Sequence, residues 1–193
     1  MGKRKKETEE SARRVLHRLK AVDYNDLMWK QTGFGVREFE LYSGNELVGR
    51  LYWPKLLSDH AIAECGDGRW VLDRIGFFRD RAVAVEAGTE MEVASVTFSW
   101  LGDSELSLSS GRRYELYQTG LLSNNWSLVD ENEDVVLEIK EGNRWFKHDG
   151  RLELQVGAIM RPELPLLIQL CWYLAYMRTQ DAAGAAAAVS AAS

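Results

Sequence analysis

The sequence contains little cysteine, and its cysteines give no sign of a disulfide framework. Cys65 and Cys171 are the only two cysteines in 193 residues. They lie far apart and inside apolar segments, where free cysteine behaves as a small hydrophobic residue. This usage favours a reducing compartment, so the sequence predicts a cytoplasmic protein.

The sequence also lacks the signatures of common metal and catalytic sites. Its three histidines, His17, His60 and His148, have no paired cysteine or histidine spacing, which argues against a metal site. No Gly-x-Ser-x-Gly elbow, phosphate-binding loop or dinucleotide fingerprint occurs. We therefore predict no catalytic residues, no cofactor and no enzymatic activity. An enzyme would need a cleft of convergent polar groups, which a sequence cannot display.

An acidic run in the second half of the chain matches a calcium-binding loop only in part. Residues 130–134, together with Glu138 and Glu141, place oxygen atoms at several ligand positions of an EF-hand loop. Val135 stands where that loop needs glycine, and the flanking segments alternate as strands do. These features favour a solvated acidic turn over a calcium site.

Charge is distributed unevenly along the chain. The formal net charge is −5, which argues against nucleic-acid binding over a broad surface. Residues 1–20 nevertheless contain eight basic residues against three acidic ones. Residues 7–11 are acidic or polar where a signal peptide would have its apolar stretch, so export by that route is not predicted.

The N-terminal segment predicts a basic amphipathic helix within residues 1–23, beginning near Glu7. Its apolar residues recur at three- and four-residue intervals: Ala12, Val15, Leu16, Leu19 and Val22. The basic residues that we predict to bind an anionic ligand are Lys3, Arg4, Lys5, Lys6, Arg13, Arg14 and Arg18. Such a helix can lie on an anionic membrane. Its apolar stripe is modest and lacks aromatic residues, which favours packing across the barrel wall or plain solubility.

From Asp23 onward, apolar and polar residues alternate for about 130 residues. Turn residues interrupt this pattern at short intervals. Residues 36–42 and 46–53, for example, flank a Ser-Gly-Asn turn and predict a hairpin. A last hairpin is predicted between residues 144–147 and 151–157. In all, about twelve or thirteen antiparallel strands are predicted, which is typical of a barrel or a sandwich.

The alternation ends before an uncharged apolar stretch. Residues 164–177 contain no charged side chain, and prolines at 162 and 165 suit a helix start, so a helix is predicted over 163–178. A helix that is apolar on all sides must be enclosed on all sides. At ~21 Å it is shorter than the ~30 Å hydrocarbon core, which favours burial in the protein over a membrane span. Residues 180–193 predict a flexible Ala-rich tail.

Many short strands followed by one wholly apolar terminal helix form a distinctive order of elements. With segments such as Phe39-Glu40-Leu41, Gly44 and Leu47-Val48-Gly49, this order resembles the tubby C-terminal-like superfamily, which includes tubby proteins, phospholipid scramblases and LURP-one-related proteins. The resemblance implies a mainly β domain over residues 24–179: a closed antiparallel barrel of about 12 strands around the hydrophobic C-terminal helix.

Membership would also imply association with phospholipids, since tubby proteins bind phosphoinositides and scramblases act on membranes. No segment matches the tubby phosphoinositide motif, and no cysteine-rich palmitoylation stretch is present. No site residues are therefore carried over from the family. We predict a non-enzymatic binding module, peripherally associated with anionic phospholipid or another anionic partner but not with nucleic acid. The alternative is a protein-interaction or scaffold module without lipid binding. The sequence predicts no oligomeric state.

Overall fold

A computed structural model of the chain describes residues 16–19, 22–55, 58–76, 80–99, 103–120, 125–142 and 148–191. The strands are β1 (Leu27–Gln31), β2 (Glu38–Ser43), β3 (Glu46–Tyr52), β4 (Ala61–Cys65), β5 (Gly68–Ile75), β6 (Arg81–Glu86), β7 (Glu92–Phe98), β8 (Ser104–Leu108), β9 (Arg113–Thr119), β10 (Asn125–Asp130), β11 (Val135–Glu141) and β12 (Gly150–Leu154). Each strand pairs antiparallel with its neighbours in sequence, and β1 pairs with β12 to close the barrel. The predicted barrel of 12 strands is confirmed.

One α-helix follows the strands and runs through the barrel. A 3₁₀ turn (Val156–Met160) precedes α1 (Leu164–Ala191). Every residue from Leu164 to Met177 is buried, and Leu170 and Tyr173 have no exposed surface. The prediction of an apolar helix enclosed by strands is therefore confirmed. No helix among the described residues is both long and apolar enough to cross a membrane.

Small residues make room for α1 inside the barrel. The helix packs closely against β3, β4 and β5, where Gly49, Ala61 and Ala63 are buried. A Cβ atom on Gly49 would lie 2.6 Å from Gln169 Nε2 of the helix. Trp172 of the helix stacks on a tryptophan of β1, with ring centroids 5.5 Å apart.

The N-terminal amphipathic helix is not supported. Residues 1–15 and 20–21 lie outside the described part of the chain, and residues 16–18 are irregular. The His17 amide donates to the Leu47 carbonyl at 3.2 Å, and the His17 carbonyl accepts from Gly66 at 3.3 Å. These bonds tie the segment to the barrel and occupy groups that a helix would use itself. Leu19 is fully buried against the barrel.

Two element boundaries also differ from the predictions. The helix does not end at residue 178 but continues to Ala191. Alanine has the highest helix propensity, so an Ala-rich segment extends a helix that the barrel has already nucleated. Strand β12, predicted as residues 151–157, spans Gly150–Leu154 and pairs with β11 and β1. Its predicted partner, residues 144–147, lies outside the described residues.

Candidate functional site at the helix-exit end

The antiparallel order of strands gives the barrel two distinct ends. The helix-start end carries the connections β2–β3, β4–β5, β6–β7, β8–β9 and β10–β11, together with the first turn of α1. The helix-exit end carries β1–β2 and the other alternate connections, and α1 leaves the barrel there after Met177. Chemical groups on different connections can therefore meet only if they share an end.

At the helix-start end, charged side chains are paired around the beginning of α1. Arg161 Nη2 lies 2.5 Å from Asp130 Oδ2, and this guanidinium lowers the pKa of Asp130. The Tyr114 hydroxyl donates to Glu163 at 2.6 Å, and Arg112 pairs with the same carboxylate. Arg112, Tyr114, Asp130 and Arg161 are among the residues that line a cleft of about 250 Å³. Because these four side chains pair with one another or with Glu163, we interpret them as a clamp on the helix start.

The rest of the helix-start end is mainly acidic. Exposed carboxylates on its connections belong to Asp67, Glu90, Glu131, Glu133 and Asp134. Asp130 Oδ1 accepts the backbone amides of residues 132 and 134, at 3.0 and 3.2 Å, so the acidic run is a hydrogen-bonded turn joining β10 to β11. An anionic surface would be repelled from this end.

The helix-exit end exposes large apolar side chains. Phe34 is 74% exposed, Val36 42% and Ile75 38%. Gln31 holds the β1–β2 connection in place, because its Nε2 donates to the Val36 carbonyl at 2.8 Å. Its Oε1 accepts the His148 amide at 3.0 Å, which ties the β11–β12 connection to the same glutamine. These hydrogen bonds hold the backbone of the connection that carries Phe34 and Val36.

Three arginines surround the point where α1 leaves the barrel, each against an aromatic ring. The Arg37 guanidinium lies 4.6 Å from the ring of Trp53. Arg74 and Arg178 lie 5.1 and 4.9 Å from the same phenyl ring, that of Phe98. Ring faces attract cations and hold a guanidinium in one orientation, and planar guanidinium groups suit phosphate oxygens. Each guanidinium also donates a hydrogen bond within the protein, which leaves only its remaining N–H groups for a phosphate contact.

Burial and neighbouring charges shift pKa values among these arginines and close to them. Burial lowers the pKa of Arg178, and the nearby charge of Arg74 lowers it further. Arg74 Nη1 donates to Asp181 Oδ2 at 2.8 Å, which offsets part of that repulsion. Burial also lowers the pKa of His148, which packs edge-on against Tyr176. The described basic and acidic groups at this end are nearly balanced, in contrast to the acidic helix-start end.

Beyond the arginines, α1 projects from the barrel. Residues 180–187 are exposed, and Asp181 is the last charged residue of the helix. An exposed helix without charge stands at the same end as the exposed apolar side chains and the arginines.

Comparisons with known proteins found a similarity among solved structures. No protein-family model matches the chain, and no curated protein matches it. Among solved structures, the chain is similar to the X-ray structure of a protein from Arabidopsis thaliana, with a TM-score of 0.47 and 12% sequence identity. The similarity covers 81% of this chain and 98% of that chain.

The structure does not bring the basic residues predicted to bind a ligand to the helix-exit end. Arg18 is exposed and lies at the helix-start end, beside the β4–β5 turn. Lys3, Arg4, Lys5, Lys6, Arg13 and Arg14 lie outside the described residues. Their role in binding stays a prediction.

A signal for the helix-exit end was nevertheless present in the sequence. Alternate connections, once the strands are counted, contain large apolar residues: Phe34 and Val36, Leu56 and Leu57, Phe77 and Phe78, Trp100 and Leu101, Leu121 and Leu122, and Trp145 and Phe146. The intervening β-turns are polar apart from Met91. All but the first pair lie outside the described residues, so the site is defined without them. Only the strand order reveals that the described residues Phe34 and Ile75 share an end.

Proposed function

We propose that this protein is a non-enzymatic β-barrel module that associates peripherally with membranes containing anionic phospholipid, through its helix-exit end. The observation that carries the proposal is the exposure of Phe34, Val36 and Ile75 beside three ring-stacked arginines. Apolar side chains suit the acyl chain boundary, and guanidinium groups suit the phosphates above it.

The magnitudes favour weak, reversible association. Full burial of one large apolar side chain stabilises by ~1.5–3 kcal/mol, and Phe34 has most of its surface available. Each basic residue near an anionic surface contributes ~1 kcal/mol. A few such contacts together give peripheral binding rather than permanent insertion.

Vesicle sedimentation tests this proposal. The whole chain is mixed with phosphatidylcholine vesicles or with vesicles that also contain phosphatidylserine, and the pelleted fraction is measured. We expect stronger pelleting with phosphatidylserine. A Phe34→Ser, Ile75→Ser variant should lose most binding. The matched control is Val156→Ser, Met160→Ser, which removes two side chains that are 86% and 85% exposed at the helix-start end. Equal binding to both vesicle types, or equal loss in both variants, contradicts the proposal.

The basic N-terminal segment is tested in the same assay. We propose that it adds attraction to anionic lipid, although the buried anchor Leu19 joins it to the helix-start end. Deletion of residues 1–15 leaves that anchor in place. A partial loss of binding would support a contribution from Lys3, Arg4, Lys5, Lys6, Arg13 and Arg14, and unchanged binding would assign the attraction to the helix-exit end.

We propose further that the chain belongs to the tubby C-terminal-like superfamily and acts in the cytoplasm. A closed barrel of 12 strands around an apolar helix supports the first statement. Cys65 and Cys171 are free and buried, which suits a reducing compartment and supports the second. Fractionation of native cells, with the protein followed between the cytosolic and membrane fractions, tests the compartment.

A protein-interaction or scaffold role is the second candidate. The exposed segment of α1 from residue 180 to 187 favours it, because an exposed helix can pack against another chain. Co-purification of a stoichiometric partner, without binding to either vesicle type, would support this role. A strictly monomeric protein without partners would contradict it.

A further inference from the structure

We infer that, if the proposed membrane association holds, the barrel docks end-on, with its axis roughly along the membrane normal and the last part of α1 in the lipid. This inference names the contact surface and its orientation, which the proposed function leaves open.

Three separate points at the helix-exit end define the contact plane. Phe34 stands on the β1–β2 connection, and Ile75 ends β5, with β3 and β4 between them in the barrel. The helix α1 leaves the barrel within the ring of strands. These three features therefore lie at one end of the barrel rather than along its wall.

The outer wall is unsuited to lipid because it is charged along its length. Its exposed or half-exposed charged side chains include Lys30, Glu105, Glu115, Lys140 and Glu153. Lys140 and Glu153 pair with each other and keep 47% and 40% of their side chains exposed. A barrel lying on its side would have to remove such groups from water, which is unfavourable.

The helix-start end is excluded by charge rather than by polarity alone. It exposes Val156 and Met160, so exposed apolar side chains do not by themselves distinguish the two ends. Exposed carboxylates on the β10–β11 turn, Glu131, Glu133 and Asp134, lie at the same end. An anionic membrane repels these carboxylates, which favours docking by the helix-exit end, whereas Arg18 and the basic residues before it in the chain act in the opposite sense.

The last part of α1 can enter lipid without carrying an unpaired charged side chain into it. Asp181, its last charged residue, is paired with Arg74 at 2.8 Å. Residues 182–191 are uncharged and helical, so their backbone groups, apart from the last four carbonyls, are hydrogen-bonded within the helix. Ten residues of helix are ~15 Å long, which is about the depth of one leaflet.

Single fluorescent labels test the orientation. The environment-sensitive dye NBD is attached to the whole folded chain through a cysteine at Phe34→Cys, Ile75→Cys or Ala186→Cys. Matched labels on the wall and at the helix-start end use Lys140→Cys and Val156→Cys. The native thiols are buried, so the dye reacts with the new cysteine. Thermal unfolding and size-exclusion profiles equal to the wild type confirm that each labelled protein is folded.

Emission is measured with phosphatidylcholine–phosphatidylserine vesicles that carry nitroxide-labelled lipid. We expect a blue shift and at least about twofold quenching at positions 34, 75 and 186, and neither at 140 or 156. A label immersed in lipid at position 140, with the labels at positions 34 and 75 in water, would establish side-on docking and overturn the inference. A label immersed in lipid at position 156 alone would establish docking by the helix-start end and would also overturn the inference. An aqueous signal at 186, with 34 and 75 immersed, would overturn the placement of α1.

The failures of the two proposals are distinguishable. If the unlabelled protein does not pellet with vesicles, the proposed function fails and the orientation fails with it. If it pellets while position 140 is immersed, the membrane association stands and only the end-on geometry is wrong.

Discussion

Replacement of Gly150 by alanine tests directly whether the helix threads the barrel in the register described. Gly150 begins β12, and an added Cβ atom would lie 2.5 Å from Cζ3 and 2.8 Å from Cη2 of Trp172. The indole cannot move away easily, because it stacks on Trp29 and meets Phe39 edge-on at 5.6 Å. The substitution therefore overpacks the contact between strand and helix.

The expected size follows from two opposing effects. Overpacking of a well-packed core destabilises by ~1–3 kcal/mol. Glycine to alanine also restricts the unfolded chain, which stabilises by ~0.4–1 kcal/mol. We expect a net loss of ~1–2 kcal/mol in the free energy of unfolding, or ~2–8 °C in the melting temperature for a domain of this size.

Urea unfolding of four proteins checks this value: wild type, Gly150→Ala, Trp172→Phe and the double variant. Phenylalanine lacks the distal ring atoms that the new methyl group would meet, so the double variant should lose less stability than the sum of the single variants. Gly157→Ala is the matched control, because nothing lies within 4 Å of its added Cβ atom. Its stability should change by less than ~0.5 kcal/mol. Wild-type stability of Gly150→Ala, or strict additivity with Trp172→Phe, would refute this packing.

Three further predictions follow from buried or paired groups. Leu170→Lys should prevent folding, because Leu170 has no exposed surface and an unpaired interior charge costs several kcal/mol. Soluble expression and circular dichroism measure folding, and Ala186→Lys at an exposed position is the control that should be tolerated. A normal melting temperature for Leu170→Lys would contradict the prediction. Arg161 lowers the pKa of Asp130, so the stabilisation from Asp130 should be present at pH values above its usual pKa of 3.8 and be lost as the pH falls below that value. Asp130→Asn should therefore have a lower melting temperature than the wild type at neutral pH, and this difference should disappear in acid. A difference in melting temperature that stays constant across pH would refute the prediction. Burial raises the pKa of Cys65 to about 11 and also raises that of Cys171, so neither thiol should react with iodoacetamide at mildly alkaline pH until the protein unfolds. Mass spectrometry counts the modified thiols. Fast labelling of Cys171 in the folded protein would contradict the burial of α1 inside the barrel.

Local patterns predicted the strands and the helix because each depends on neighbouring residues. Period-two alternation bounded by turn residues located the strands, and the uncharged stretch located α1, since an apolar surface all round has to be enclosed. The N-terminal helix was predicted from the same kind of pattern. Over the described residues 16–18 that prediction failed, because His17 forms hydrogen bonds with Leu47 and Gly66, contacts that helical periodicity cannot reveal.

The binding surface was harder to predict than the fold. Charge density along the chain pointed to the basic segment at the N-terminus. Of the seven basic residues predicted to bind there, Arg18 is the one that lies within the described part of the chain. Phe34 and Ile75 are isolated apolar residues in sequence, separated by 40 positions. Their common exposure at one end depends on strand order and on the bracing of the β1–β2 connection by Gln31.

The sequence by itself determined which segments are strands, which segment must be enclosed and where turns interrupt the chain, because hydrophobic periodicity and turn chemistry act over a few residues. Only the tertiary structure decided that β1 meets β12, that Trp172 packs on Gly150, and that Arg37, Arg74 and Arg178 gather where α1 emerges. Those relations join residues far apart in the chain. They arise because a closed barrel fixes every connection at one end or the other, so the surface that we propose for membrane contact is set by topology rather than by local composition.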